Sequence, residues 1–227
     1  LAASMERLKR YKAGKAALER RIIDNENWYR LRHWQQVEKQ PSQPGLVETP
    51  GPRKVSRPAS AWLFNSLANK HADAMDNYPE PAVLPREQGD ERDAKSLSAI
   101  LPVILERNDY EQIYSDAWWD KLKSGTAAYG VFWDSAAENG LGDIAIRNID
   151  MLNIYWQPGV TDIQESPHLY IVALVDNDTL LAQYPQLQGK LGGQAIDVPD
   201  YIHDDNIDNS NKSVVVDWYY KLDSGGR

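Results

Sequence analysis

The stretch DYEQIYSDAWWDKLKSGTAAYGVFWD, residues 109–134, changes its period half way along. In its first half Ile113, Tyr114, Ala117, Trp118 and Leu122 recur at helical spacing. Gly125 predicts the helix end, and Lys121 and Lys123 place positive charge in the last turn, where the helix dipole favours it. Beyond it, Tyr129, Val131 and Trp133 alternate with Ala128, Gly130 and Phe132, which is the spacing of a strand. Helices that precede strands, rather than alternating with them, define an α+β chain.

The helical reading extends toward the N-terminus. Asp109 and Gln112 have capping-box spacing. A helix over 91–107, capped by Asp90, presents Ala94, Leu97, Ile100, Leu101, Ile104 and Leu105, and Pro102 predicts a kink. Before it, Pro79, Pro81 and Pro85 force an extended segment. Residues 60–76 form an amphipathic helix with Leu63, Phe64, Leu67, Ala68, Ala72 and Met75 on one face. Five prolines between Pro41 and Pro58 make a linker or wrapping arm. Residues 4–39 read as a helix with a thin stripe of Leu8, Tyr11, Lys15, Leu18, Ile22 and Ile23, continued by Trp28, Leu31, Trp34 and Val37. That stripe favours docking on a neighbour.

Toward the C-terminus the reading is β. Asn139-Gly140 predicts a hairpin turn, and Ile144 and Ile146 its return strand. Leu152, Ile154 and Trp156 predict a third strand, stopped by Pro158-Gly159. The apolar run Leu169–Val175 predicts a central strand. A short helix over 179–184, a polar mobile loop over 186–212, a strand Ser213–Leu222 and a turn at 223–226 complete the chain. The expected architecture is amphipathic helices followed by a small, mainly antiparallel sheet. The expected parts are a basic helical arm (1–40), a Pro-rich linker (41–60), a helical plus β core (61–185), and an acidic loop leading into a last β segment (186–227). Both ends read as cuts in a longer protein.

Composition narrows the function. With no cysteine, disulfides and thiolate chemistry are excluded, which fits assembly in a reducing cytosol. Eight Trp and 12 Tyr against two Phe favour surfaces where protein meets protein. Residues 1–40 carry a net charge of +5 and the remainder −13. A basic arm on an acidic body predicts two surfaces with different partners. Arg7, Lys9, Arg10, Lys12, Lys15, Arg20 and Arg21, with Trp28 and Trp34, are the candidate interaction residues, for acidic neighbours or DNA. An acidic body does not grip DNA but can line a passage for it.

No catalytic constellation emerges. His33, His71, His168 and His203 lack ligand spacing and read as surface or capping residues. Asp73 and Asp76 share a helical face beside Lys70, a solvated surface unless a metal-dependent nuclease uses them. Asp90, Glu91 and Asp93 suit a helix N-terminus. Asp204, Asp205 and Asp208 miss the register of a calcium loop. No nucleophile elbow or phosphate-binding loop occurs, and no cofactor is expected.

One succession of segments is familiar. Asn69-Lys70-His71-Ala72-Asp73 runs into Asn77-Tyr78-Pro79-Glu80-Pro81. Trp118-Trp119 and Lys121 precede Gly125-Thr126-Ala127-Ala128-Tyr129-Gly130-Val131-Phe132-Trp133-Asp134. Gly142-Asp143-Ile144, Asn148-Ile149-Asp150, Tyr155-Trp156-Gln157-Pro158-Gly159 and Ser166-Pro167-His168-Leu169-Tyr170-Ile171 follow. In order and spacing, residues 61–175 resemble the N-terminal half of tailed-bacteriophage and prophage portal proteins. The resemblance implies a non-enzymatic virion subunit, a wing-like region of a ring of typically twelve copies at one capsid vertex. It implies as partners the chain itself, capsid and scaffolding protein, terminase, tail or adaptor proteins, and passing double-stranded DNA, with no membrane. Clip, stem and crown would follow this region or only begin at Val214–Leu222. The readings left beside it are a metal-dependent phage nuclease and an unrelated interaction module.

Overall fold

Ser4, Leu8, Tyr11, Lys15, Ile22 and Glu26 are the buried stripe of a long first helix, α1 (Ala2–Tyr29). The computed structural model describes residues 2–34, 58–79, 81–191 and 211–222. Residues 41–57 of the predicted linker (41–60), most of the loop over 186–212 and the turn at 223–226 lie outside the described residues. The chain divides into two compact units. Leu1–Ile23 joins Asp150–Arg227 in a sheet unit, and Asp24–Ile149 forms a helical unit.

In the sheet unit, β3 (Ile154–Trp156), β4 (His168–Asp176) and β5 (Lys212–Tyr220) form an antiparallel sheet with β4 in the centre. The apolar run predicted a central strand, and the pairings Ile154↔Ile171 and Val172↔Val216 on its two sides make it one. α1 docks its stripe inside this unit rather than extending free. Leu8 and Tyr11 pack with Tyr155, Tyr170 and Val172, flanked by Met5, Val214 and Val216. The Tyr11 and Tyr170 rings meet edge to face at 5.8 Å. The Tyr170 hydroxyl bonds Ser4 at 3.3 Å. At Gly14 a Cβ would come within 2.4 Å of the Pro158 ring, so glycine permits the close approach of α1 to the turn after β3. A short helix, α5 (Asn177–Gln183), follows β4.

Lys15 fixes that docking. Its ammonium donates to the carbonyls of Met151 and of Ile154, the latter at 2.6 Å. It lies 4.5 Å from the Tyr155 ring centre and 5.5 Å from that of Trp156.

The helical unit contains the end of α1, then α2 (Trp62–Asp76), α3 (Glu91–Arg107), α4 (Tyr110–Ser124), and a hairpin of β1 (Ala128–Asp134) and β2 (Asp143–Ile149). The β residues thus form two separate antiparallel sheets where the sequence predicted one. α1 ends ten residues before the predicted limit of 39, with Leu31 in the left-handed region at φ 60°. Arg32 N–H donates to Asn27 O at 2.8 Å and Leu31 N–H to Trp28 O at 3.3 Å, a Schellman closure with leucine where glycine is usual. Gly125 closes α4 as predicted, at φ 83°. Asp90 and Asp109 precede helices but make no side-chain cap bond. Asn139-Gly140 lies in the hairpin loop, but Glu138 shares the left-handed turn, so the connection is longer than a two-residue turn.

Polar contacts hold this unit together. Glu26 is buried between Arg30 at 2.7 Å and Lys123 at 3.2 Å. His71 Nε2 lies 3.0 Å from Ser115 Oγ, and its ring stacks on Trp119 at 4.3 Å. Asn108 donates to Ile144 O at 3.0 Å and accepts from Ile146 N–H at 2.8 Å, satisfying the outer edge of β2.

Burial lowers the Lys15 pKa from 10.5 to about 8, against the opposing pull of Glu19 and Asp150. Below pH 8 both folded and unfolded chains hold the proton. Between 8 and 10.5 the unfolded chain binds it more tightly, so stability rises with pH across that window. The expected gain is up to about 3 kcal/mol. Burial raises the Tyr11 pKa above 10.0, so this phenol lowers stability only above the lysine window's midpoint. Denaturant unfolding of the sheet unit from pH 7.5 to 9.5 should show the rise in the natural chain, and Lys15→Met should flatten it. A flat profile in both chains would contradict the buried ammonium.

Candidate assembly surfaces

The seven candidate basic residues all lie on α1 within the sheet unit, but they do not share one environment. Lys9, Arg10, Arg20 and Arg21 are exposed, Arg7 and Lys12 are half-buried, and Lys15 is buried. Helical periodicity sets Arg7, Arg10 and Arg21 on one flank of the buried stripe and Lys12 on the other. Arg7, Arg10, Tyr11, Gln157 and Pro158 line a notch of about 340 Å³. Burial pushes the Tyr11 phenol up, and the two nearby guanidinium groups oppose that shift. Burial, reinforced by Arg7, holds His168 below its usual pKa, and its Nδ1 accepts from Trp218 Nε1 at 3.2 Å.

Trp28 and Trp34 belong to the helical unit. Trp28 is half exposed, its ring 4.7 Å from that of His33. Trp34 Nε1 donates to Pro58 O at 3.0 Å.

The helical unit keeps few apolar side chains to itself. Among its described residues Leu67, Ala94 and Ala117 are the buried ones. α2 turns Leu67, Ala68, His71, Ala74 and Met75 inward, with His71 where the sequence had placed Ala72, and leaves Trp62 80% exposed. α3 matches its predicted limits, yet Leu97, Ile100 and Val103 stay half exposed along its length. On β1 the alternation is real, but Tyr129, Val131 and Trp133 are the exposed set, at 54%, 63% and 65%. No described strand pairs with the outer edge of β1. Exposed apolar faces of this extent mark protein contacts.

A groove of about 580 Å³ lies between Tyr78 and Pro81 on one side and the α3–α4 junction on the other. Ser98 ties Val83, two residues beyond Pro81, to α3, accepting from Val83 N–H at 2.9 Å and donating to Val83 O at 3.2 Å. Tyr78 and Tyr110 line the groove with Glu106, Asp109 and Glu111. Tyr78 packs edge-on against Tyr114 at 5.3 Å. Burial and a hydrogen bond to Tyr129 push Tyr110 up to about 12. Sequence reading took Asp109 for a cap and missed this groove. The three acids and Tyr110 fall within a few residues of one helix junction, but Tyr78 joins them from a distant part of the sequence.

For chemistry the arrangement offers little. Asp73 and Asp76 are exposed on α2, and among the described residues no group of three or more His, Asp or Glu could hold a metal ion. Asp204, Asp205 and Asp208 lie outside the described residues. No described helix is long and apolar enough to cross a membrane.

What remains is an α+β chain with apolar and charged faces exposed among its described residues. The family model for phage P22-like portal proteins matches residues 72–224, and the chain belongs to that family. No curated protein sequence matches it. Portal proteins are structural components of the phage virion, as the resemblance implied.

If β1 presents its apolar face to solvent in the isolated chain, Val131→Ser and Trp133→Ser should each change unfolding stability by no more than about 0.5 kcal/mol. Urea denaturation of the isolated chain checks this, and a loss of several kcal/mol would mean the face is packed.

Proposed function

We propose that this chain is the wing-like part of a portal subunit, a non-enzymatic building block of a ring at one capsid vertex. The ring is the conduit for DNA during packaging and ejection, and a platform for terminase and for tail or adaptor proteins. Capsid and scaffolding protein meet its outer surface. It assembles in the host cytoplasm and ends in the virion.

The bare apolar faces of the helical unit carry this reading: Trp62, the α3 row and the β1 row have no cover among the described residues. Neighbouring copies supply that cover. The net charge of −8 suits a channel component past which DNA slides without adhering. The exposed cations of α1 are the interaction residues, directed at acidic protein surfaces. The nuclease reading has no support in the exposed placement of Asp73 and Asp76.

Negative-stain imaging of the full-length protein tests the proposal. Closed rings with a central channel are expected. A population of monomers and dimers at every concentration would refute it.

A further inference from the structure

We infer that the acidic groove of the helical unit receives the basic flank of α1 from a second copy of this chain, an inference that rests on the ring reading above.

Most ion pairs form inside one unit. Arg30 and Lys123 meet Glu26, Arg107 meets Glu138 and Asp143, and Lys212 meets Asp176. Of the charges without such a partner among the described residues, two sets line a recess. In the helical unit these are Glu106, Asp109 and Glu111, around a groove of about 580 Å³ whose lining contains no Lys or Arg. In the sheet unit they are Arg7 and Arg10, at a notch whose lining contains no Asp or Glu.

The groove has the chemistry that recognises guanidinium. Carboxylates supply paired acceptors, and the faces of Tyr78 and Tyr110 supply the aromatic surface on which a planar cation stacks. Glu111 reinforces the burial that raises the Tyr78 phenol, so the groove already carries a negative field. Ser98 adds a hydroxyl to the lining. On the other side, Arg7 and Arg10 are three residues apart on one helical face, spaced to enter a single recess together. Charge complementarity of this kind fixes register and excludes wrong partners.

The two surfaces are different, so the contact between copies is heterologous. Each copy offers its groove to one neighbour and its α1 flank to the other. Such a contact repeats around an axis and closes into a ring when the rotation permits.

Sedimentation velocity of the full-length protein over a range of concentrations tests this, with charge reversals on each side. Glu106→Lys with Glu111→Lys, and separately Arg7→Glu with Arg10→Glu, should each weaken self-association by at least about tenfold. The chain carrying all four reversals should recover most of the lost affinity, a rescue that a merely structural role would not give. Reversals that leave a ring-forming chain unaffected, or losses without rescue, overturn this pairing and leave the ring reading standing. A natural chain that stays monomeric overturns both. A concentration-independent effect on unfolding would place the contact within one copy and overturn the inference. So would unchanged self-association combined with loss of short-duplex DNA binding in the arginine variant, since the flank would then meet phosphate.

Discussion

The helical unit is constrained by how little apolar surface it buries. Ordering a segment of this length costs backbone and side-chain entropy that burial normally offsets. Here Leu67, Ala94 and Ala117 are its buried apolar side chains among the described residues. Specific polar contacts define its shape instead: the Glu26 ion pairs, the His71–Ser115 bond with its stack on Trp119, and Asn108 closing the edge of β2. These contacts orient the elements but leave their large apolar side chains uncovered. Under the proposed function, neighbouring copies supply the cover that this unit lacks among its described residues.

The sheet unit is the counterpart. Its first helix is packed, with Leu8 and Leu152 fully buried and Tyr155 and Tyr170 nearly so. Lys15 occupies an apolar stripe and offsets the cost of burial by satisfying two carbonyls and facing two aromatic rings. The α1 flank is therefore held in place rather than free to wander. Position, more than number, then decides which of the basic residues stays exposed.

Much of the secondary structure was legible because periodicity reports burial. The α3 limits, the Gly125 stop and the central place of β4 were all readable from spacing and turn residues. The end of α1 was not. Leucine at the left-handed position gives no local signal, whereas glycine would have. The direction of the β1 face was not legible either. Alternation separates two faces of a strand but does not say which is inward, and in this hairpin the larger side chains point out. Spacing already set Lys15 on the stripe of α1 apart from Arg10, but the carbonyls and rings that its ammonium meets come from the sheet and were not legible. The acidic groove depends on Tyr78 and the α3–α4 junction coming together across the chain, which no local pattern encodes.

These observations describe a member of the P22-like portal family in physical terms: one unit with its own core, and one whose described apolar faces stay exposed. The most direct measurement is hydroxyl-radical footprinting of Trp62, Val131 and Trp133 in the full-length protein, comparing the assembled particle with the dissociated chain. The account predicts strong labelling when dissociated and protection on assembly. Equal labelling in both states would contradict it.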